Sequence, residues 1–464
     1  MKIHFLGGVR SVTGSKHLIE VNNKKILLEC GLFQGKRESS YDKNKHMPFE
    51  PSSIDAVVLS HAHIDHCGNL PRLCNQGFKG NIFSTHATRD LASILLQDSA
   101  YLQSKDVEYV NRKRKKRGEQ PYKPLYNVEE AEKTMHQFVS LGYHKELNIA
   151  DGIQLKFHDA GHILGSAISE LTLEENGKSI KLVFTGDLGR IDMPILRDRE
   201  IVKEAQYVLI ETTYGDRIHD SLDNIESKLS ETVNSTYKRG GKLIIPSFSV
   251  GRTQQVVYFL NRLTEKKKIP ELPIFVDSPL SVNATEIFRL HPECYNEDIY
   301  QYITSRKNPF GFSNCEYIRD TEKSKNLNKI NKPCIIISSS GMCEGGRILH
   351  HLKNNVEDPK NTIMMVGFCA QNTLGKKIIK KEPKIKIFGD EYQLNAEVVI
   401  QNAFSAHADK NELLKYAKDI NGTVKKFFLI HGEEDQSLAF AEHLKGAGIK
   451  EAVIPFEGES YELD

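Results

Sequence analysis

The sequence contains no closely spaced cysteine pair, no signal-like N-terminus and no long hydrophobic run. Its eight cysteines form no C-x-x-C pair, which predicts scattered reduced thiols and favours the cytoplasm over an oxidising compartment. The N-terminal stretch MKIHFLGG carries one lysine and a short apolar run interrupted by His4, too little for a signal peptide. No later run approaches the length that crosses a bilayer. We therefore expect neither export nor a membrane partner.

The chain also lacks a strong charge bias and any low-complexity or repeated segment. Its formal net charge is +2, with 27% charged and 39% hydrophobic residues, so attraction for an anionic partner must come from local patches. At 464 residues it is long enough for two or three domains, each with its own core. Composition thus predicts a large globular protein and leaves its activity open.

Ionisable side chains are instead concentrated in one short segment, SHAHIDHCG at 60–68. Four of its residues could bind a metal, namely His61, His63, Asp65 and His66. So many polar groups need partners, and imidazole together with carboxylate suits zinc, iron or manganese, with zinc the commonest choice at a histidine-rich site. The preceding AVVLS predicts a buried strand. Because one ion could not easily take all four groups from so short an arc, we expect two adjacent ions.

Further metal-capable or acid–base residues follow apolar, strand-like runs elsewhere in the chain. They are His162, Asp187, Glu211, His407 and His431. Each stands at the end of its run or a few positions beyond it, and sites in layered α/β proteins collect at strand ends and loops. Any one of them could be a strand cap, but five repeats indicate a shared site. We therefore expect all of them to meet along one sheet edge.

The order of strand-like and helix-like patterns predicts an α/β protein with one domain inserted into another. Residues 16–29 alternate as two strands around an asparagine pair, which is typical of a β-hairpin. Between Glu211 and a strand near 398, four strand–loop–helix units predict a parallel sheet flanked by helices. These units begin at LIIPSF, PIFVDS, CIIISS and TIMMVG. The predicted limits are 1–208 and 386–464 for the outer domain and 209–385 for the insertion.

Two loops of these units carry small residues that could bind phosphate. The candidate substrate-binding residues are Ser247, Arg252, Ser339, Ser340, Gly341 and Arg347. Small residues that open a helix leave backbone N–H groups free to meet a phosphate oxygen, and a nearby arginine could act as a charged clamp. Tight turns between strand and helix need the same residues for geometry alone, so both interpretations stay open.

Six consecutive cations occupy residues 112–117, within the stretch NRKRKKR. Such a run is usually a solvated surface segment. The more specific hypothesis is an electrostatic footprint for a polyanion, which predicts binding that weakens as salt is added. A nuclear-localisation signal is a third interpretation.

The HxHxDH motif at 61–66, together with the histidines and the aspartate downstream, resembles the metallo-β-lactamase superfamily. ETTYGDR, FSAHAD and LIHGEE, which contain Glu211, His407 and His431, look like the three additional motifs of its β-CASP branch, which processes RNA or DNA. The resemblance covers nearly the whole chain. This branch includes the endonuclease of mRNA 3′-end maturation, but the chain more closely resembles compact bacterial or archaeal ribonucleases. It implies an αββα sandwich that carries two metals, with an inserted β-CASP domain capping the site.

The resemblance also implies roles for individual residues. One zinc would be held by His61, His63 and His162 and the other by Asp65, His66 and His431, with Asp187 bridging both; Mn²⁺ and Fe²⁺ are alternatives. Two such ions would activate a hydroxide toward phosphorus. His407 is the expected general acid and Glu211 its orienting carboxylate, and Asp65 is counted with them as catalytic. Glu29 stands where the family usually has Asp, and we expect it to steady a ligand histidine.

The expected function is hydrolysis of RNA phosphodiester bonds by a zinc-dependent nuclease, with single-stranded RNA as its partner. A small-molecule hydrolase of the same fold, such as a lactonase or thioesterase, does not need the inserted domain or the FSAHAD and LIHGEE motifs. An inactive scaffold paralogue should have lost ligands, whereas all seven are present. The sequence leaves RNA versus DNA, endonuclease versus exonuclease, and monomer versus homodimer open.

Overall fold

The computed structural model describes residues 1–35, 37–367, 369–370 and 372–464, and the chain divides into two compact units. The first unit comprises Met1–Asp192, Asp198–Ile218 and His407–Asp464, and the second comprises Met193–Arg197 and His219–Ala406. The second unit is thus an insertion into the first. Within the described ranges, none of the helices combines the length and the apolar character needed to cross a bilayer.

Two seven-stranded mixed sheets form the centre of the first unit. The strands of the first sheet are β1 (Lys2–Gly7), β2 (Lys16–Val21), β3 (Lys24–Leu28), β4 (Ala56–Val58), β5 (Asn81–Ser84), β6 (Phe138–Ser140) and β22 (Ser460–Glu462). Those of the second are β7 (Glu146–Ala150), β8 (Ile153–Asp159), β9 (Ala167–Glu175), β10 (Lys178–Phe184), β11 (Tyr207–Glu211), β20 (Lys426–Ile430) and β21 (Ala452–Val453). Their spatial orders are β22-β1-β2-β3-β4-β5-β6 and β21-β20-β11-β10-β9-β8-β7.

Alternating apolar residues explain how these sheets pack, because successive side chains of a strand point to opposite faces. Phe5 and Leu28 of the first sheet share a buried core with Phe157 of the second. Val183 points to the opposite face of the second sheet and packs with Leu413 of a helix. The helices of this unit are α1 (Arg37–Lys45), α2 (Ile64–Cys67), α3 (Leu70–Asn75), α4 (His86–Lys116), α5 (Val128–Thr134), α13 (Lys410–Ile420) and α14 (Glu434–Gly446). The predicted αββα sandwich is confirmed.

The predicted hairpin at 16–29 is also confirmed. Strands β2 and β3 pair antiparallel and are joined by Asn22 and Asn23, whose φ angles are 48° and 61°. A two-residue hairpin turn of this hand needs positive φ at both central positions, and asparagine tolerates that conformation better than most residues.

The inserted unit contains a six-stranded parallel sheet of order β14-β13-β15-β12-β16-β19. Its strands are β12 (Leu243–Pro246), β13 (Ile274–Val276), β14 (Cys315–Tyr317), β15 (Ile335–Ser338), β16 (Thr362–Met365) and β19 (Glu397–Ile400), and β17 (Lys384–Ile387) pairs separately with β18 (Asp390–Gln393). The helices are α6 (Asn224–Lys238), α7 (Arg252–Glu265), α8 (Pro279–Leu290), α9 (Glu297–Thr304), α10 (Thr321–Leu327), α11 (Ile348–Asn355) and α12 (Leu374–Ile379). Short 3-10 turns lie at Pro51–Ser53, Met135–Gln137, Pro292–Cys294, Asn402–Phe404 and Asn421–Thr423.

Both faces of this parallel sheet are buried, as its continuous apolar strands predict. Ile245 and Ile337 lie in the core on one face, whereas Ile244 and Ile336 lie in the core on the other. The four predicted strand–loop–helix units are present as β12–α7, β13–α8, β15–α11 and β16–α12. In the loop of the fourth unit, Phe368 and Gln371 lie outside the described residues.

The observed division of the chain differs from the predicted domain limits, because each limit falls inside a strand. Position 209 lies within β11, which sits between β10 and β20 in the second sheet of the outer unit. Position 385 lies within β17, and β19 further along pairs with β16 of the inserted sheet. Sheet pairing therefore keeps the chain in the inserted unit up to Ala406.

Candidate metal centre

Seven metal-capable side chains of the first unit come together in two contiguous groups. They are His61, His63, Asp65, His66, His162, Asp187 and His431. The segment after β4 supplies four of them, and the segments after β8, β10 and β20 supply one each. Of the five residues expected at one sheet edge, His162, Asp187, Glu211 and His431 follow or end strands of the second sheet, whereas His407 follows β19 of the inserted sheet. The expectation of a single sheet edge is therefore wrong for His407. The strand-end pattern identified the loops but not the sheet to which each strand belongs.

The first group consists of His61, His63, His162 and Asp187. His63 Nδ1 lies 3.1 Å from His61 Nε2 and 3.3 Å from His162 Nε2. Asp187 Oδ2 lies 3.4 Å from His61 Nε2 and 3.5 Å from His162 Nε2. Donor atoms around a tetrahedral zinc are about 3.3 Å apart, given zinc–nitrogen distances of about 2.0–2.1 Å. These four side chains therefore have the spacing of a zinc ligand set.

The second group consists of Asp65, His66 and His431. Nε2 of His66 and Nε2 of His431 lie 3.1 Å apart, and His431 Nε2 lies 3.6 Å from Asp65 Oδ2. The remaining oxygen of Asp187, Oδ1, lies 3.5 Å from His66 Nε2. Asp187 thus presents one carboxylate oxygen to each group, which is the arrangement of a ligand shared by two ions.

Two features of these groups fit a bound cation better than internal hydrogen bonding. Asp187 Oδ1 is buried and accepts no hydrogen bond from the described residues, although ring nitrogens of His66 and His431 lie within 3.5 Å. The facing Nε2 atoms of His66 and His431 can share at most one proton between them, whereas a cation accepts both lone pairs. The donor set of five imidazoles and two carboxylates suits zinc.

The far nitrogens of three ligand rings are fixed by hydrogen bonds. His61 Nδ1 lies 3.0 Å from Ser60 Oγ, and His431 Nδ1 lies 3.2 Å from Thr213 Oγ1. Such contacts set the tautomer and the orientation of a ligating imidazole. Sequence patterns did not single out Ser60 or Thr213; their positions directly before His61 and within the ETTYGDR motif are the signals that could have identified them.

Glu29 is the third such partner and is fully buried. Its Oε2 lies 2.9 Å from His66 Nδ1, while its Oε1 accepts a 2.6 Å hydrogen bond from the backbone N–H of Ser60. The glutamate side chain, which is one methylene longer than the aspartate usual in the family, therefore contacts both the His66 ring and the loop that carries the ligands. Burial raises the pKa of this carboxyl well above its usual range, and a cation held by His66 would oppose that shift.

Two glycines allow the loops that carry His162 and Asp187 to approach each other. A Cβ atom at Gly189 would collide with the backbone oxygen of Gly161, and Gly161 itself has a φ of 65°. The backbone N–H of Gly189 also donates a 2.8 Å hydrogen bond to Ala160 O. Neither glycine was predicted from the sequence, although each lies within two residues of a predicted ligand.

The protonation states of the buried rings also suit metal binding. Burial lowers the pKa of His63 to about 4 and holds the pKa values of His66 and His162 well below the ordinary value, and the neutral ring is the form that binds metal. Burial also lowers the pKa of His431, but Asp187 and Asp65 outweigh it and raise that pKa to about 10. This part of the centre therefore stabilises positive charge, which a metal ion would supply.

His407 lies against this centre but belongs to neither group of potential ligands. Its Nδ1 lies 3.2 Å from Oε1 of the fully buried Glu211 and 3.9 Å from Asp187 Oδ2. Its backbone forms a β-bridge with Gly189. Burial lowers the pKa of His407, but the negative charges of Glu211 and Asp187 outweigh that effect, so its pKa is raised. His407 follows β19 of the inserted sheet yet lies in the first unit.

Glu211 is close enough to Asp187 and His431 to act as a further ligand, but its oxygens are engaged elsewhere. Oε1 accepts a 2.7 Å hydrogen bond from the backbone N–H of Leu188, in addition to its contact with His407. Oε2 lies 3.3 Å from the backbone nitrogen of Thr213. These contacts fix the carboxylate beside the His407 ring.

The predicted phosphate-binding residues lie between β12 and the first residue of α7 and between β15 and the start of α11. They are Ser247, Arg252, Ser339, Ser340, Gly341 and Arg347. Strands β12 and β15 are adjacent and parallel in the inserted sheet. The two guanidinium groups have partners within this unit: Arg252 donates to Gln255, and Arg347 forms a 2.7 Å ion pair with the buried Asp277. Gly341 is closely packed, since a Cβ there would lie 3.0 Å from the Phe248 ring. Phosphate binding by these loops stays a prediction.

The cations at 112–116 form the end of α4, a helix of 31 residues, and Arg117 follows directly after it. Arg112 and the cations at 115–117 are exposed. Arg114 contacts its own neighbourhood, with a 3.0 Å ion pair to Glu119 and its guanidinium 4.2 Å from the centre of the Tyr122 ring. The side chain of Lys113 lies outside what the structure describes. The run therefore presents several cations to solvent, which fits both the polyanion and the solvated-surface hypotheses.

Known protein families match three successive parts of the chain. Residues 18–198 match the family described as metallo-beta-lactamase superfamily domain. Residues 253–378 match the Beta-Casp domain, and residues 391–455 match the Zn-dependent metallo-hydrolase RNA specificity domain. The third match includes His407 and His431.

Several curated proteins are similar over almost the full length of the chain. A ribonuclease of Thermus thermophilus is 34% identical over 458 residues, which cover 98% of this chain and 99% of the relative. An RNase J-like protein of Methanocaldococcus jannaschii is 33% identical, covering 95% and 94% of the two chains. The transcription termination factor FttA of Methanosarcina mazei is 33% identical over 94% of this chain and 67% of its own length.

A solved structure has the same fold. The crystal structure of a protein of unknown function from Enterococcus faecalis V583 superposes with a TM-score of 0.57 at 13% sequence identity. The match covers 100% of this chain and 99% of the other. At this identity the likeness concerns the fold alone.

Proposed function

The chain belongs to the β-CASP branch of the metallo-β-lactamase superfamily, and on that premise we propose that it is a metal-dependent ribonuclease that hydrolyses phosphodiester bonds. The observation that carries the proposal is the convergence of seven potential ligands beside His407, which is paired with Glu211 and belongs to no ligand group. Hydrolysis at phosphorus needs both charge stabilisation and a proton for the leaving oxygen. The match to an RNA specificity domain and the names of two relatives support RNA as the substrate.

The proposed centre holds two zinc ions, with Mn²⁺ and Fe²⁺ as alternatives that use the same donors. His61, His63 and His162 would hold one ion, Asp65, His66 and His431 the other, and Asp187 would contact both. When bound, the ions would activate a water molecule and offset the negative charge of the scissile phosphate. Ser60, Glu29 and Thr213 would keep the ligand rings in their binding orientation.

His407 is the proposed proton donor. Its Nδ1 is directed to Glu211, and Nε2 makes no hydrogen bond to the described residues, while the side chain keeps 20% of its surface exposed. Nε2 is therefore the atom that can give a proton to the departing ribose oxygen. The negative charges of Glu211 and Asp187 raise the pKa of His407, which favours the protonated ring that a general acid needs.

The proposed substrate is single-stranded RNA, held by its backbone phosphates. The loops at 247–252 and 338–347 would bind phosphate through backbone N–H groups and serine hydroxyls, and the cations at 112–117 would attract more distant phosphates. We also propose a cytoplasmic location, which the eight cysteines support because all of them are free thiols.

The test separates the proton donor from the metal ligands. His407→Ala should retain the zinc content of the wild-type protein while cleavage of end-labelled RNA slows about 10²- to 10⁴-fold, the usual contribution of a general acid. His136→Ala is the matched control, since His136 is an exposed histidine of the same unit. Loss of zinc together with activity in His407→Ala would make His407 a ligand. Faster hydrolysis of lactones or thioesters than of RNA by the wild type would replace the proposed substrate.

A further inference from the structure

A second cluster of metal-binding side chains lies in the first unit, separate from the seven residues described above. It consists of His144, His158 and Glu200, each of which offers one ligand atom within 4.8 Å of the others. His158 lies on β8, His144 lies in the turn before β7, and Glu200 lies in the segment between β10 and β11. The proposed ribonuclease reaction uses none of them.

The spacing of this cluster matches that of the catalytic ligands. His144 Nε2 lies 3.2 Å from Glu200 Oε1, and His158 Nδ1 lies 3.4 Å from Glu200 Oε2. Both distances are close to the separation of about 3.3 Å between donor atoms of a tetrahedral zinc site. The rings of His144 and His158 are 5.5 Å apart at 77°, and those of His61 and His162 in the proposed catalytic centre are 5.2 Å apart at 80°.

The ring nitrogen of His158 that faces away from Glu200 has the kind of carboxylate partner that usually orients a metal-binding histidine. Its Nε2 lies 2.6 Å from Glu170 Oε2, and the other oxygen of Glu170 lies 3.0 Å from Lys181 Nζ. A proton on Nε2 that is donated to Glu170 leaves the lone pair of Nδ1 facing Glu200. A carboxylate, a histidine and a metal in this order form the common arrangement that orients a ligand ring. Glu170 lies on β9, which pairs with both β8 and β10, so the support is rigid.

Backbone hydrogen bonds tie the other two residues of the cluster to the neighbours of His158. The N–H of His144 donates a 2.9 Å hydrogen bond to Phe157 O, and the N–H of Glu200 donates a 2.8 Å hydrogen bond to Asp159 O. His144 and Glu200 are thus anchored to the residues on either side of His158. Ligands held in place before metal binding lose little conformational freedom when the ion arrives.

We propose that His144, His158 and Glu200 form a third divalent-metal site that binds Zn²⁺ from solution and leaves a coordination position for water. The side chains of His144 and Glu200 are 53% and 32% exposed, so the ion can enter and exchange without opening the fold. A bound ion would link the turn before β7 and the segment around Glu200 to β8, and would stabilise the folded state by binding it selectively. The alternative is a metal-free network of alternating charges from His144 to Lys181.

The experiment compares zinc content between variants, so that it does not depend on the occupancy of the proposed catalytic centre. Full-length protein is equilibrated with Zn²⁺, freed of unbound metal, and analysed by inductively coupled plasma mass spectrometry. His144→Ala and Glu200→Gln should each bind one equivalent less than the wild type and than the exposed-histidine control His136→Ala, because two remaining protein ligands hold zinc poorly. RNA cleavage, which reports on the other centre, should be retained in all three variants.

A second measurement uses Co²⁺ in place of zinc. The visible absorption of the Co²⁺-loaded wild type should exceed that of His144→Ala by the contribution of one site, with His136→Ala equal to the wild type. Equal metal content and equal spectra in the wild type, His144→Ala and Glu200→Gln would overturn the third site and leave the charge network as the explanation of the cluster. That result would leave the proposed ribonuclease function untouched.

Discussion

Replacing Glu211 by glutamine isolates the charge that acts on His407. The amide keeps the shape of the carboxylate and one oxygen for the backbone N–H of Leu188, which now lies 2.7 Å from Oε1. It removes a buried negative charge 3.2 Å from His407 Nδ1. An opposite charge at this distance typically shifts a pKa by about 1–3 units, so the pKa of His407 should fall by about that amount.

The sign of the effect follows from the role of His407 as an acid. The protonated ring is the active form, so activity is lost as the pH rises through the pKa of His407, which Glu211 and Asp187 raise. In Glu211→Gln the loss should begin about 1–3 pH units lower, while the rate on the acidic side changes less. The assay is kcat/KM for cleavage of end-labelled RNA, measured across the alkaline range at constant ionic strength.

Glu412→Gln is the matched control for Glu211→Gln. Glu412 also accepts hydrogen bonds from two backbone N–H groups, those of Ile191 and Asp409, but it does not contact His407. Glu412→Gln should lower the stability of the protein without shifting the alkaline fall of kcat/KM with pH. The reasoning would be refuted if Glu211→Gln lowered kcat/KM equally at every pH and left the alkaline fall of the pH profile in place. Glu211 would then be a purely structural group.

Two further predictions concern residues that neither bind metal nor transfer a proton. Glu29→Ala leaves His66 Nδ1 without its buried carboxylate partner and should weaken zinc affinity about 10- to 100-fold, measured by competition with a chromophoric chelator; unchanged affinity would exclude the supporting role. Replacing Arg112, Lys115 and Lys116 by alanine should flatten the plot of log RNA affinity against log salt by about 0.7 for each phosphate that these cations neutralise in the wild type, and an unchanged slope would return the run to a solvated surface.

Local patterns of the sequence predicted the hairpin at 16–29 and the four strand–loop–helix units of the insertion. The Asn22–Asn23 pair marked a hairpin because few other residues accept positive φ at two successive positions. A continuous apolar run such as LIIP predicts a strand that is buried on both faces. The structure has β12 there, and all four of its residues are buried. These features depend on neighbours in sequence, which is why the chain alone was sufficient.

The predictions that differ from the structure depend on pairing between strands that are distant in sequence. No pattern near β19 states which sheet that strand joins, so the prediction of one sheet edge was wrong for His407. For the same reason the predicted limits at 209 and 385 fell within β11 and β17. Long-range pairing is decided by the packing of the whole domain rather than by local propensity.

The sequence predicted the metal-capable residues of the candidate site and, through the family resemblance, the supporting residues Glu29 and Glu211, but not Ser60 or Thr213. The spacing of His61, His63, Asp65 and His66 is unusual enough to stand out, whereas a serine such as Ser60 looks like any other polar residue until the fold places it beside a ring. The cluster at His144 and Glu200 has no sequence motif, because residues from separate segments meet only in the folded chain.

The central claim is that metal ions held by His61, His63, Asp65, His66, His162, Asp187 and His431 make the protein a ribonuclease. The most direct test is to remove metal with a chelator, confirm its removal by mass spectrometry, and measure cleavage of end-labelled RNA before and after Zn²⁺ is restored. We predict that cleavage is lost in the metal-free protein and returns when Zn²⁺ is restored. Undiminished cleavage by the metal-free protein would contradict the account.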